Sequence, residues 1–421
     1  MAIDTLGANA LASNSVTTAK ISDDAVTSAK VAAGAVAVAD IADGSITTAK
    51  LASGAVTTVK IADDAVTSAK ALNSGRRNLI INGAMQIAQR GTSATGIGTA
   101  VGYNTVDRWR FADANNPPAR FTETQSTDAP DGFGYSRKFE VTTNDSSVDA
   151  DEMQFTDQFI EAQNLQLLKY GTSGAESITL SFYVKSSVAS TMGVRINHED
   201  GGGNYGASYT INSVNTWERK TITVPGNTAT AINNDNGKGL RIAFALSAGS
   251  DNTGSNSTAW GNGNTFGAHT NTFVSTSSAT WQITGVQVEV GSSASDFEHL
   301  TFAEELALCQ RYFQAVVPKG VNIGYVTPAW NYSSSTMVGI LDHKVEMRAA
   351  PTLETNDGTN DFRFYRGGTN DDFDDLSLSA PSSTKCTAVY NSTDISGTQG
   401  HAGGIYINDT TNAFVHLKAE L

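Results

Sequence analysis

Cysteine is nearly absent from this chain: Cys309 and Cys386 are the only two in 421 residues. That excludes a disulfide framework and a cysteine-rich metal site. Charge is thin as well, 17% of residues against about 25% in an ordinary domain. Positive charge is the thinner half, with 28 Lys and Arg facing 42 Asp and Glu for a formal net charge of −14. Nucleic acid and anionic membrane surfaces are therefore poor partners. No run approaches the roughly 18 consecutive apolar residues of a membrane span, so no membrane insertion is expected. The first twenty residues lack the basic start and apolar core of a signal peptide, and assembly in a cytoplasm is the expectation. What is plentiful is Gly, 39 residues, alongside Ser, Thr and Asn, a composition of exposed β-structure and loops. The length suggests two or three structural units.

A ten-residue repeat fills the N-terminal region: LASNSVTTAK, ISDDAVTSAK, VAAGAVAVAD, IADGSITTAK, LASGAVTTVK and IADDAVTSAK run without a break over residues 11–70. Position one is always aliphatic (Leu11, Ile21, Val31, Ile41, Leu51, Ile61) and position six always β-branched (Val16, Val26, Val36, Ile46, Val56, Val66). Apolar residues five apart scatter around a helix and alternate across a strand, so neither element can continue unbroken. A turn in each repeat resolves this, and positions three and four carry its chemistry, as in Asp43-Gly44 and Ser53-Gly54. Two large apolar side chains per ten residues cannot offset the entropy of ordering one chain. The repeats are thus read as a thin stalk shared between chains, a homotrimer by preference, with Val16, Ile21, Val26, Ile41, Ile46, Leu51, Val56 and Ile61 as interface candidates. The alternative is a disordered leader, for which strict register has no use.

Beyond residue 75 aromatics appear and strands announce themselves by alternation. Ile178, Leu180, Phe182 and Val184 share one face, and Leu240, Ile242, Phe244 and Leu246 repeat the pattern. Asp131-Gly132, Asp200-Gly201, Asn236-Gly237 and Asn262-Gly263 are turn signals. In one strand Trp281 and Ile283 alternate in one phase and Val286, Val288 and Val290 in the other, which predicts a bulge at Gly285. The expected fold class is mainly β, with an antiparallel sandwich over residues 76–300. A helix follows over 301–314: Thr301 and Glu304 form a capping box, and Phe302, Leu306, Cys309 and Phe313 make one stripe. This stripe is expected to pack at a junction near the threefold axis, and Cys309 within it reads as a small buried hydrophobe. Residues 301–317 are taken as a linking helix and 318–421 as a smaller C-terminal β-unit, in which Val415, Leu417, Ala419 and Leu421 share a face.

Catalytic motifs are missing: there is no GxSxG, HExxH or Walker loop, and the six histidines are dispersed. No cofactor or metal is expected; the acidic runs at 356–361 and 370–375 do not follow the EF-hand order and read as solvated turns. For binding, Trp330 and Tyr332 stand two residues apart and would project together from an extended segment, against the alternative that both rings pack the β-unit or its trimer interface as the inner face of a buried strand. Trp260, in a tract rich in Gly, Asn, Ser and Thr, is a second candidate as an aromatic plate, against the alternative that it pins its loop by burial.

Several segments carry a family likeness. RNLIINGAMQIAQRGTS at 77–93 and YNTVDRW at 103–109 resemble the start of the large β-domain in tail-fibre proteins of tailed bacteriophages. ITGVQVEVGSSASDFEHLTFAEELALCQRYFQ at 283–314 is similar to the segment that closes that domain, and MRAAPTL at 347–353 and KAEL at 418–421 to its C-terminal unit. Repeats of the DDAVTSAK type recur in such fibres. Val288 stands where the family would have Leu, and the third repeat ends Ala37-Val38-Ala39-Asp40. Separately, ITLSFYVKSS at 178–187 followed by WERKTITVP at 217–225 is similar to the jelly roll of carbohydrate-binding modules. The resemblance implies a virion tail fibre, not an enzyme. In it, residues 1–75 form a stalk that anchors to other tail proteins through the N-terminus, and the β-regions adsorb the particle to a host surface glycan. Its rivals are a polysaccharide-degrading tailspike, whose β-helical coils of about twenty residues have no counterpart period here, and a structural fibre attached to the capsid.

Overall fold

The computed structural model describes residues 76–421, apart from 100, 262, 264, 321–323, 357, 380–382 and 409–412, together with scattered positions of the repeat region. The chain divides into two units, Met1–Thr67 and Ser68–Leu421. In the first, backbone N–H groups close three-residue steps from Lys30 to Thr27 (2.8 Å), Asp40 to Ala37 (3.0 Å) and Ser45 to Ala42 (3.0 Å). The last falls where each repeat was expected to turn; the other two lie at the end of a repeat. Ile21, Val26, Ile41, Ile46 and Leu51 stand 43–59% exposed in the single chain. Val16, Val56 and Ile61 lie outside the described residues.

In the second unit the chain builds β1 (Ser93–Ile97), β2 (Arg110–Ala114), β3 (Arg120–Ser126), β4 (Ser136–Thr143), β5 (Met153–Glu161) and β6 (Ile178–Ser186). It continues through β7 (Thr191–His198), β8 (Gly203–Thr210), β9 (Glu218–Val224), β10 (Lys238–Ala248), a short helix α1 (Thr272–Ser275) and β11 (Thr280–Val290). These strands form a six-stranded sheet, β1-β3-β4-β11-β6-β9, facing a five-stranded one, β2-β5-β10-β7-β8. Every pairing is antiparallel, and only β3-β4 and β7-β8 are hairpins; the other connections cross between sheets, the wiring of a jelly roll.

The alternation read from sequence sets the faces. Ile178, Leu180, Phe182, Val184, Leu240, Ile242, Phe244 and Leu246 all point into the core. Gly285 has φ +61°, and the register of β11 against β6 slips between Thr284 and Gln287. Trp281, Ile283, Val286 and Val288 can then all be buried, which a regular strand forbids. Any side chain at 285 would also strike the Phe133 ring, 2.7 Å from an added Cβ. Trp109, Phe121, Phe139, Phe244 and Trp281 fill the centre, each contributing about 1.5–3 kcal/mol by burial. One ion pair lies inside as well: Arg137 donates to Glu123 at 2.9 Å with neither side chain exposed.

Helix α2 (Phe302–Gln310) starts as expected, with Thr301 and Glu304 capping each other, but stops before the end of the expected stripe. Phe313 belongs instead to a strand, β12 (Phe313–Val317), so residues 301–317 are half helix and half sheet. The stripe is corrected accordingly. Phe302 is 60% exposed, Leu306 half-buried, and Cys309 and Phe313 are enclosed within the chain itself. The buried face of α2 runs through Glu305, whose carboxylate accepts the Asn82 backbone N–H, and Cys309, packed with Ile81, Ile87 and Tyr312. Burial pushes the Cys309 thiol well above its ordinary pKa.

The chain then forms β13 (Tyr325–Asn331), β14 (Met337–Asp342), β15 (Thr352–Thr355), β16 (Phe362–Arg366), β17 (Thr369–Phe373) and β18 (Ser377–Leu378). It ends through β19 (Cys386–Asn391), β20 (Ala402–Ile407) and β21 (Val415–Lys418). A three-stranded sheet, β12-β21-β15, and a seven-stranded one, β17-β16-β20-β13-β14-β19-β18, enclose a separate core around Phe362, Phe364, Val389, Ile405, Val415 and Leu417. The run at 370–375 is mostly strand rather than solvated turn: in β17 Asp372 pairs with Arg363, and Asp371 lies 2.8 Å from Arg366. An acidic edge strand of this kind resists pairing with other chains.

The segments that carry the family likeness meet in space. Asn82 from the first donates to the carbonyls of Ile87 and Asp107, Trp109 donates to Asn82, and Arg90 and Arg108 hold Glu420 near the end of the chain.

Candidate functional site: an open aromatic face on the C-terminal sheet

Strand β13 alternates buried Thr327, Ala329 and Asn331 with outward Pro328 and Trp330, and Tyr332 follows at the hairpin tip, its N–H bonded to Thr336. Trp330 and Tyr332 thus share the outer face, 37% and 65% exposed. In register, Trp330 lies between Ala402 on β20 and Val338 on β14, with Tyr390 of β19 beyond Val338. Sequence reasoning had both rings but missed what stands beside them.

Tyr325 at the start of β13 pairs with Tyr406 on β20, and Tyr365 on β16 pairs with Gly404. Their rings meet edge to face, Tyr325 and Tyr406 at 5.4 Å and Tyr365 and Tyr406 at 6.4 Å. Together with Gly367 and Gly403 they line an open groove of about 390 Å³. Gly404 forms its floor because nothing larger fits: an added Cβ would lie 2.8 Å from the Tyr325 ring and 3.0 Å from that of Tyr406. Tyr325 and Tyr365 are 44% and 48% exposed. Partial burial and the neighbouring Tyr406 raise the Tyr325 pKa, so its hydroxyl stays neutral and can both donate and accept. Next to Tyr406 in register is Arg363, whose guanidinium forks onto Asp372 at 2.6 and 3.1 Å. The face therefore joins ring surfaces, hydroxyls and a charged pair. One signal was legible: Phe362 and Phe364 turn inward, which forces Tyr365 outward. The grouping was not, because the three tyrosines come from strands far apart in the chain.

The sandwich presents its aromatics differently. On the outer side of the five-stranded sheet Phe155 and Phe159 are buried, with Arg110, Arg241 and Lys238 over Phe159 and Phe266 against Phe155. Trp260 is half-buried: its Nε1 donates to the Pro225 carbonyl at 2.6 Å and its ring touches Tyr170, His198 and Tyr205. It pins its loop. Among the described residues no group of three His, Cys, Asp or Glu could hold a metal ion, and no helix is long and apolar enough to cross a membrane.

No protein-family profile matches the sequence, and no curated protein matches it either. Solved structures give low-scoring likenesses. The enzymatically active domain of tailspike protein 4 from bacteriophage CBA120 is 14% identical over 51% of this chain and 21% of that one, with a TM-score of 0.28. This chain thus spans about a fifth of the tailspike's length. The family 11 carbohydrate-binding module of Clostridium thermocellum, in complex with a mixed-linked tetrasaccharide, is 12% identical over 49% and 98% of the two chains, TM-score 0.23. The CBM22-1-CBM22-2 tandem of Paenibacillus barcinonensis Xyn10C is 8% identical over 83% and 98%, TM-score 0.25.

Proposed function

We propose that this protein is a phage tail fibre, a homotrimer that adsorbs the virion to a host surface glycan through the outer face of its C-terminal seven-stranded sheet. The observation that carries the reading is that four rings on that face, Tyr325, Trp330, Tyr332 and Tyr365, stand 37–65% exposed. Burying one such ring contributes about 1.5–3 kcal/mol, yet this chain's own core uses none of them. Sugars present flat apolar faces edged with hydroxyls, which ring surfaces and phenols complement. The repeats support the oligomer in the same way, since their described apolar positions, Ile21, Val26, Val31, Ile41, Ile46 and Leu51, stay 42–59% exposed in the single chain and ask for copies of themselves. In this reading residues 1–75 join the fibre to other tail proteins.

The test is to change Tyr325, Trp330, Tyr332 and Tyr365 singly to Ala and measure binding to host cells, with melting as the control for folding. Loss of binding at unchanged melting supports the reading. Full binding by all four variants would move the receptor site elsewhere or leave the face to contacts between subunits. Release of reducing ends from host polysaccharide would instead make the protein an enzyme, and labelling on intact particles would distinguish tail from capsid.

A further inference from the structure

A second groove, of about 750 Å³, opens where the sandwich meets the C-terminal unit, and its charge runs against that of the chain. The protein as a whole carries −14, but this wall bears the cations Arg90, Lys319, Arg348 and Lys418 against the carboxylates Glu354 and Glu420. Both carboxylates are already engaged. Glu420 is held by Arg90 at 2.9 Å and by Arg108, and Glu354 by Lys418 at 3.1 Å with the His416 Nδ1 at 3.6 Å. Lys319 and Arg348 remain. Among the described residues neither has a carboxylate within 4.0 Å. Arg348 spends its guanidinium on three carbonyls, those of Ala419 (2.9 Å), Glu420 (3.0 Å) and Asn236 (2.9 Å). These fix its position and leave its charge uncompensated.

Two more features belong to the same wall. His416 is only 5% exposed, wedged between Phe313 and Phe414, and among the described residues its Nε2 has no hydrogen-bond partner. Tyr103 and Phe414 add ring surface. The combination of unbalanced positive charge and aromatic surface suits one chemistry, and a site of this volume suits about one to three sugar rings.

We propose that this groove binds an acidic sugar residue, its carboxylate answering Lys319 and Arg348 and its ring lying against Tyr103 and Phe414. The site is distinct from the tyrosine groove and stands or falls separately from it. The experiment titrates the full chain calorimetrically with trigalacturonate, with the neutral galactose trisaccharide and with inorganic phosphate. Trigalacturonate should bind, the neutral sugar should bind at least roughly tenfold more weakly, and the difference should shrink at high salt. Lys319→Glu, at an exposed position, should weaken trigalacturonate roughly tenfold with unchanged melting, and Lys319→Gln by less. Tyr365→Ala should leave it unaltered. No binding of trigalacturonate, equal affinity for the neutral sugar, phosphate binding as tightly as the trisaccharide, or sensitivity to Tyr365→Ala instead of Lys319→Glu would each overturn the proposal.

Discussion

Replacing Glu420 by Gln removes one charge where the end of the chain is clamped to the sandwich. Arg108, with a side chain 1% exposed, donates to Glu420 and to the Phe159 carbonyl at 2.9 Å, and its guanidinium lies 3.5 Å from the Tyr312 ring centre. Burial alone would lower the Arg108 pKa; Glu420, joined by Tyr312, Tyr103 and Cys309, more than offsets this and keeps the residue charged. In the variant that charge stays buried without its partner. Breaking such a pair costs about 3–5 kcal/mol. Gln retains an acceptor oxygen and Arg90 keeps Asp107 at 3.7 Å, so about 3 kcal/mol is expected. With an unfolding entropy of about 2.1 cal/mol/K per residue, Tm should fall by about 4 °C if the roughly 350-residue β-unit melts as one body. The fall should be on the order of 14 °C if the C-terminal 105 or so residues melt alone. Calorimetry distinguishes the two, and urea unfolding followed by tryptophan fluorescence measures the free energy. A loss below about 1 kcal/mol would refute the reasoning, because it would mean that water reaches Arg108. The double change Arg108→Met with Glu420→Met should recover most of the loss.

Three further outcomes test other parts of the structure. Glu123→Gln strands Arg137 in the sandwich core and should cost about 3–5 kcal/mol in urea; a shift within 0.5 kcal/mol of wild type, the usual scale of a surface change, would show the pair to be solvated. Gly404→Ala should spread the Tyr325 and Tyr406 rings, abolish glycan binding and cost about 1–3 kcal/mol as overpacking; unchanged binding would separate this groove from the receptor site. His269 accepts the Gly193 N–H on Nδ1 at 3.1 Å, and burial pushes its pKa down to about 4, so NMR should find it neutral at pH 5. Its folded value lies below the unfolded one of about 6.5. The stability it contributes is therefore complete above that pH and is lost as pH falls toward 4. Asp107, pushed up to about 6 by burial, acts in the opposite sense over the same window, so wild type must be compared with His269→Gln. A His269 titration near 6.5 would contradict the burial argument.

Short-range chemistry was legible in the sequence wherever one periodicity or one steric requirement had a single solution. The faces of β6 and β10, the Thr301 capping box and the bulge at Gly285 are of this kind, since a strand with inward residues on both sides of a phase change has to slip. That Trp330 and Tyr332 share a face followed from the same period of two; that this face is the outer one was decided by the tertiary structure. The end of α2 did not: Phe313 continues the apolar stripe, but β12 pairs with β21, about a hundred residues later, and that long-range pairing buries the Phe313 ring against His416. Long-range register likewise decided both candidate sites. Tyr325, Tyr365 and Tyr406 gather because β13, β20 and β16 are neighbours in one sheet, and Lys319, Arg348 and Lys418 share a wall because the C-terminal unit folds back onto the sandwich. Neither grouping leaves a local trace, for the energy that selects it comes from closing a core between distant segments, and residues on the outer surface of that core are carried into place without having chosen it.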